Sequence, residues 1–123
     1  GDNDTNFTAL IVDADTTING GPQGGIVFED ENGGYAINVR KGAKLVINGG
    51  TVTATCGEAK YVGGKAGYTT TCAVVSSYTS EKETVTLGTG VTAVGSTNAD
   101  GTGAEAYNAK NKDTYKYFRA AKE

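Results

Sequence analysis

The sequence predicts an all-β fold wound through about three irregular coils, and three observations carry that prediction. No stretch repeats apolar residues at helical spacing for more than a turn or two. Short runs of Val, Ile, Leu and Tyr instead recur every eight to twelve residues between Gly-containing turns. The tetrapeptide Ile-Asn-Gly-Gly occurs twice, at 18–21 and 47–50, and each copy closes an apolar strand.

Residues 9–12 (Ala-Leu-Ile-Val) are a continuous apolar run, and the β-branched run 16–18 leads into the first Asn-Gly-Gly turn. Strands are then predicted at 25–28, at 36–39, and at 44–47, the last entering the second Asn-Gly-Gly turn. Along 51–55 Thr alternates with Val and Ala, which puts the threonines on one face of a strand. Further strands are predicted at 72–76, 84–87, 91–94 and 115–118, and 104–109 is the one helical candidate. Setting Ala36-Ile37, Leu45-Val46-Ile47 and Gly50 beside Ala73-Val74, Val85-Thr86-Leu87 and Gly90 aligns two units 37 to 40 residues apart. Thr51-Val52-Thr53-Ala54 is then matched by Val91-Thr92-Ala93, and Ala9-Leu10-Ile11 with Thr17-Ile18-Asn19-Gly20-Gly21 supplies a first unit. Such units stack through parallel backbone hydrogen bonds, with Gly providing positive φ at corners and inward β-branched side chains filling a narrow core. Short strands and turns also suit an antiparallel β-sandwich, which is the alternative.

Residues 35–55, Tyr-Ala-Ile-Asn-Val-Arg-Lys-Gly-Ala-Lys-Leu-Val-Ile-Asn-Gly-Gly-Thr-Val-Thr-Ala-Thr, resemble the coils of right-handed parallel β-helix domains. These occur in surface and carbohydrate-binding proteins of gut and rumen bacteria, where an Ala-Ile-x-Val strand precedes Gly-Ala-x-Leu-x-Ile-Asn-Gly-Gly-Thr-Val-Thr. The likeness is close over 35–55 and loose over 9–94. It implies a short right-handed parallel β-helix or solenoid, an extracellular or cell-surface setting, and a single module over 1–123 excised from a larger protein. It says less about function, because such coils serve adhesins, polysaccharide lyases and glycan-binding modules alike. The chain departs from the pattern at 56–71, which is too long for a corner and is expected to protrude as a loop.

Composition narrows the function. A chain of 123 residues without His has no Ser-His-Asp or Cys-His machinery and no imidazole ligand for zinc. It is one domain, too small for a core plus an enclosed active site, and three coils are too few for the platform a β-helix lyase needs. A non-catalytic module follows. Its apolar runs are far shorter than a membrane span, so no membrane insertion is expected, and its acidic balance argues against nucleic acid.

The net charge of −3 hides an asymmetry: residues 1–34 carry seven acids and no base, whereas 35–80 carry five bases against Glu58. A basic middle suits an anionic partner, unless its charges are simply dispersed and solvated. Arg40, Lys41, Lys44, Lys60 and Lys65 are interleaved with Tyr61, Tyr68 and Tyr78. Sugar rings stack on aromatic faces, and uronate carboxylates pair with Lys or Arg. These eight residues are the candidate ligand-binding set, with half-buried packing as the alternative for each tyrosine. The expected ligand is an acidic plant-wall polysaccharide such as pectin or polygalacturonate, bound by a monomeric module within a larger chain. The competing function is a structural or adhesive module that contacts a protein.

Asp13, Asp15, Glu29, Asp30 and Glu31 are candidate Ca2+ ligands or solvated turn residues, and no other cofactor is expected. Cys56 and Cys72 are a candidate disulfide, worth about 3 kcal/mol in the chain-entropy model, or else a free buried pair. Threonines 51, 53, 55 and 69–71 resemble ice-binding arrays, but the unequal coils spoil a flat lattice. Tyr107, Tyr115, Tyr117 and Phe118 are expected to cap the core, with Tyr115, Tyr117 and Arg119 on one face of a strand and Phe118 on the other.

Overall fold

A computed structural model describes residues 8–20, 25–30, 35–40, 42–56, 72–76 and 85–122. The fold is all-β. Its strands are β1 (Thr8–Val12), β2 (Thr16–Asn19), β3 (Gly25–Asp30), β4 (Tyr35–Val39), β5 (Leu45–Gly49) and β6 (Thr51–Cys56). They continue with β7 (Cys72–Ser76), β8 (Val85–Leu87), β9 (Val91–Ser96), β10 (Glu105–Ala106) and β11 (Tyr117–Lys122), a 3-10 helix (Ala109–Thr114) preceding the last.

Among the described residues these strands form three small sheets, with orders β1-β4-β7, β2-β5-β8 and β10-β9-β11-β6-β3. The chain visits them in the same sequence three times, so β1–β3, β4–β6 and β7–β9 are successive layers. The first two sheets are parallel throughout, and β3 pairs parallel with β6, which is not the pairing of an antiparallel sandwich. The repeat read in the sequence is a spatial register. Ile37 lies opposite Val74, and Leu45, Val46 and Ile47 lie opposite Val85, Thr86 and Leu87.

The third sheet breaks the expected stacking. Strand β9 does not pair with β6; β11 runs antiparallel between them, Ala120 facing both Val52 and Ala93. The sequence explains why β11 fits: Phe118 and Ala120 alternate with Tyr117, Arg119 and Ala121, so an apolar face meets the core while Arg119 reaches solvent. Phe118 joins Ile37, Leu45, Ile47, Val52 and Ala54 in a single core cluster. Each large side chain removed from water there stabilises the fold by about 1.5–3 kcal/mol.

Two expectations at the C-terminal end are corrected. The helical candidate 104–109 is an extended segment at Glu105–Ala106, and the helical turn begins only at Ala109. The cause is pairing: Glu105 and Ala106 lie antiparallel to Gly95 and Val94, and the Tyr107 amide donates to the Ala93 carbonyl. Tyr107 is held edge-on to Phe118, with ring centroids 5.1 Å apart. Tyr115, expected to share a strand face with Tyr117 and Arg119, precedes the strand and is buried. Its ring lies flat against Gly95, where a Cβ would come within 2.7 Å of ring carbons. Its hydroxyl donates to Glu105 Oε2 at 2.7 Å and accepts from the Asn108 amide at 3.3 Å. Burial, then the carboxylate it bonds, raises the Tyr115 pKa above its ordinary value.

Cys56 and Cys72, the candidate disulfide pair, are both buried. Burial pushes the Cys72 thiol up to about 12, with Asp113 and Cys56 adding to the effect.

Candidate functional site

The corners where the second sheet hands over to the third come from the repeated tetrapeptide. In the first two layers the corner reads Asn19-Gly20 and Asn48-Gly49-Gly50, and in the third Gly88-Thr89-Gly90. Gly50 and Gly90 adopt φ of 73° and 81°, the left-handed region that glycine enters without penalty. Layers touch here through backbone: a Cβ on Gly20 would lie 2.9 Å from Gly50 Cα, and one on Gly50 would lie 2.7 Å from Gly20 Cα. Glycine therefore sets the layer spacing and leaves the corner without side-chain filling.

That vacancy is an open groove of about 750 Å³ lined by Asn19, Asn48, Thr51, Thr89, Lys122 and the intervening glycines. Asn48 Nδ2 donates to Asn19 Oδ1 at 3.1 Å, forming a two-step amide ladder across the layers. The ladder ends at Gly88, where a Cβ would collide with Asn48 Oδ1, so only glycine leaves room for that amide. The Gly88 amide donates to the Ile47 carbonyl at 2.8 Å and stacks the third corner on the second. The end of β11 is tied in as well, its Lys122 amide donating to the Gly50 carbonyl at 3.1 Å. Among the described lining residues Lys122 alone carries charge. An amide pair, two threonines and one ammonium supply donors and acceptors for a polar ligand, with no nucleophile–base pair among the described lining residues.

No protein family, curated protein or solved structure matches this chain. The site therefore rests on its own geometry.

The residues singled out from the sequence are distributed as follows. Arg40 follows β4, its amide donating to the Val12 carbonyl, and its Nε lies 3.4 Å from Asp13 Oδ1. A candidate ligand-binding cation and a candidate calcium ligand thus neutralise one another in an exposed pair worth about 0–1 kcal/mol. Lys44 is exposed, and its carbonyl accepts from the Thr16 amide. Lys41, Lys60, Tyr61, Lys65, Tyr68 and Tyr78 lie outside the described residues, as does Glu31. Asp15 and Glu29 are exposed, and Asp30 ends β3 opposite Cys56. Among the described residues no three of His, Cys, Asp and Glu come together as a metal-holding group. No described helix is long and apolar enough to cross a membrane.

Sequence reasoning missed Asn19, Asn48, Thr89 and Lys122. The signal was present in the repeated Ile-Asn-Gly-Gly, read there as a turn; repetition of the Asn itself, which any turn residue could replace, marked the ladder. Nothing in the sequence reveals that Lys122, far along the chain, returns to the same corner.

Proposed function

We propose that this chain is a non-catalytic, extracellular carbohydrate-binding module built as a short β-solenoid, and that it holds an acidic polysaccharide such as polygalacturonate in the corner groove. The observation that carries the reading is the convergence of Asn19, Asn48, Thr51, Thr89 and Lys122 on one open groove. Amides and hydroxyls match sugar hydroxyls as donors and acceptors, and the ammonium matches a uronate carboxylate. Open corners are also accessible to a long chain, which an enclosed cavity would exclude. Three consecutive layers in the same order, with Gly at each corner, support the solenoid; β11 is its C-terminal wedge. Arg40, Lys41, Lys44, Lys60 and Lys65, with Tyr61, Tyr68 and Tyr78, are a second candidate set for the same ligand, of which Arg40 and Lys44 lie within the described residues.

Calorimetric titration against polygalacturonate, highly methyl-esterified pectin and neutral xyloglucan, at low and high salt, tests this function. Binding to polygalacturonate that weakens with salt and with Lys122→Ala supports it. Absence of binding to all three overturns it, and loss of binding in EDTA would move the site to the acidic residues and a calcium bridge.

A further inference from the structure

The segments 18–21 and 47–50 are the same four residues, Ile-Asn-Gly-Gly, and Ile18 lies opposite Ile47 in neighbouring layers, so a difference in their chemistry can come only from the fold. Asn followed by Gly permits one reaction in particular. The backbone nitrogen of the glycine attacks the Asn side-chain carbonyl carbon, an approach that the missing Cβ leaves open. A bond forms between Gly N and Asn Cγ, the bond from Cγ to Nδ2 breaks, and the side-chain nitrogen leaves as ammonia with the proton that the glycine amide gives up. Water then opens the five-membered imide to aspartate or isoaspartate. No oxidant, metal or second protein takes part.

The attack requires the Asn side chain to swing over the following peptide, so both must have room to move. At the second corner they do not. Asn48 and Gly49 both lie inside β5, with β2 on one side and β8 on the other. Gly49 is buried, and a Cβ on it would lie 2.8 Å from the Gly20 carbonyl oxygen. The Asn48 amide is held on both flanks. Its Nδ2, the group that would leave, donates to Asn19 Oδ1 at 3.1 Å, while its Oδ1 and Cγ fill the space where a Gly88 Cβ would stand.

Asn19 differs at each of these points. It is the last residue of β2, Gly20 lies beyond the strand, and among the described residues β2 has a strand neighbour on one side only. Asn19 is exposed and Gly20 is half-buried. The bond from Asn48 does not oppose the attack, because it is accepted by Asn19 Oδ1, the oxygen on which negative charge gathers, and not made by the departing Nδ2.

We propose that Asn19 is a site of spontaneous deamidation in the folded chain, and that Asn48, in the same tetrapeptide, is protected by the layers on either side of it. The product sets a carboxylate in place of a neutral amide in the groove that Lys122 also lines, and isoaspartate adds a carbon to the backbone at the corner.

Peptide mapping by mass spectrometry of the whole chain, aged in mildly alkaline buffer with and without guanidinium chloride, tests this. In denaturant the two sites are expected to convert at equal rates, as their shared sequence requires. In the folded chain Asn19 is expected to convert faster than Asn48 by at least about tenfold, because Asn48 must wait for its layers to open. Asn32-Gly33, a third such pair in the sequence, lies outside the described residues, and fragment ions separate it from Asn19. Equal folded-state rates at Asn19 and Asn48, whether both fast or both suppressed, overturn the proposal, as does faster conversion of Asn48.

Discussion

Substituting Gly50 by Ala combines two separable penalties. The residue sits at φ 73°, where an L side chain costs about 1–2 kcal/mol. Its new Cβ would also lie 2.7 Å from Gly20 Cα and 3.1 Å from Gly20 C, atoms of backbone that cannot swing aside. Overpacking of that kind costs about 1–3 kcal/mol. Gly42 is the control, with φ 83° and nothing within 4 Å of its Cβ position, so Gly42→Ala bears only the conformational cost. Gly20, outside the left-handed region, meets Gly50 Cα at 2.9 Å, and Gly20→Ala bears only the packing cost. Any gain from stiffening the unfolded chain, about 0.4–1 kcal/mol, is shared by all three and cancels in the comparison. Gly50→Ala is therefore expected to lose about 1–3 kcal/mol more than Gly42→Ala, which separates their urea midpoints by about 1 M. Urea titrations followed by circular dichroism and tyrosine fluorescence read this directly. Equal losses in the two variants would refute the backbone-to-backbone contact that sets the layer spacing.

Gly95→Ala drives a methyl into the Tyr115 ring and is expected to cost about 1–3 kcal/mol, while Tyr115→Phe, which keeps the ring and gives up the hydrogen bond to the exposed Glu105 carboxylate, costs about 0.5–1.5 kcal/mol by the same denaturation assay. At pH 8, about four pH units below its pKa of about 12, roughly one Cys72 thiol in ten thousand is ionised, so iodoacetamide should label it only after unfolding. Because the folded-state pKa of Cys72 is raised, its contribution to stability is present below about pH 9 and is lost as pH rises through about 12. Urea midpoints should fall over that range, and less steeply in Cys72→Ala. Gly88→Ala would displace the Asn48 amide and is expected to weaken polygalacturonate binding in calorimetry more than Gly90→Ala, whose Cβ would meet only the Lys122 side chain, at 3.6 Å.

The layered register was legible because it rests on local apolar pattern: Ile37 with Val74 and Leu45 with Val85 align in sequence and in space. The corner glycines were legible for a similar reason, since positive φ leaves a residue-type mark. What escaped was long-range. Insertion of β11 between β6 and β9 depends on a strand of the right width meeting a gap that no local pattern describes. Tyr115 was misplaced because a 3-10 turn ending at Thr114 shifts the strand's start to Tyr117, moving Tyr115 out of the alternation and under Gly95. The pairing of Arg40 with Asp13 was hidden too, because each sits just beyond a strand of a different layer. The groove itself was half legible: its asparagines stand in the repeat, while Thr89 and Lys122 reach it only through the fold.

Under the proposed function the Asn–Gly corner, not another surface, holds the acidic sugar. Nitrogen-15 NMR of the chain titrated with oligogalacturonate tests it most directly, because the side-chain amides of Asn19 and Asn48 and the backbone amides of Gly20, Gly49, Gly50 and Gly88 each give their own signal. These signals are predicted to shift together and saturably, and to stop shifting in Lys122→Ala. Saturable shifts elsewhere that leave all of them unmoved would contradict the account.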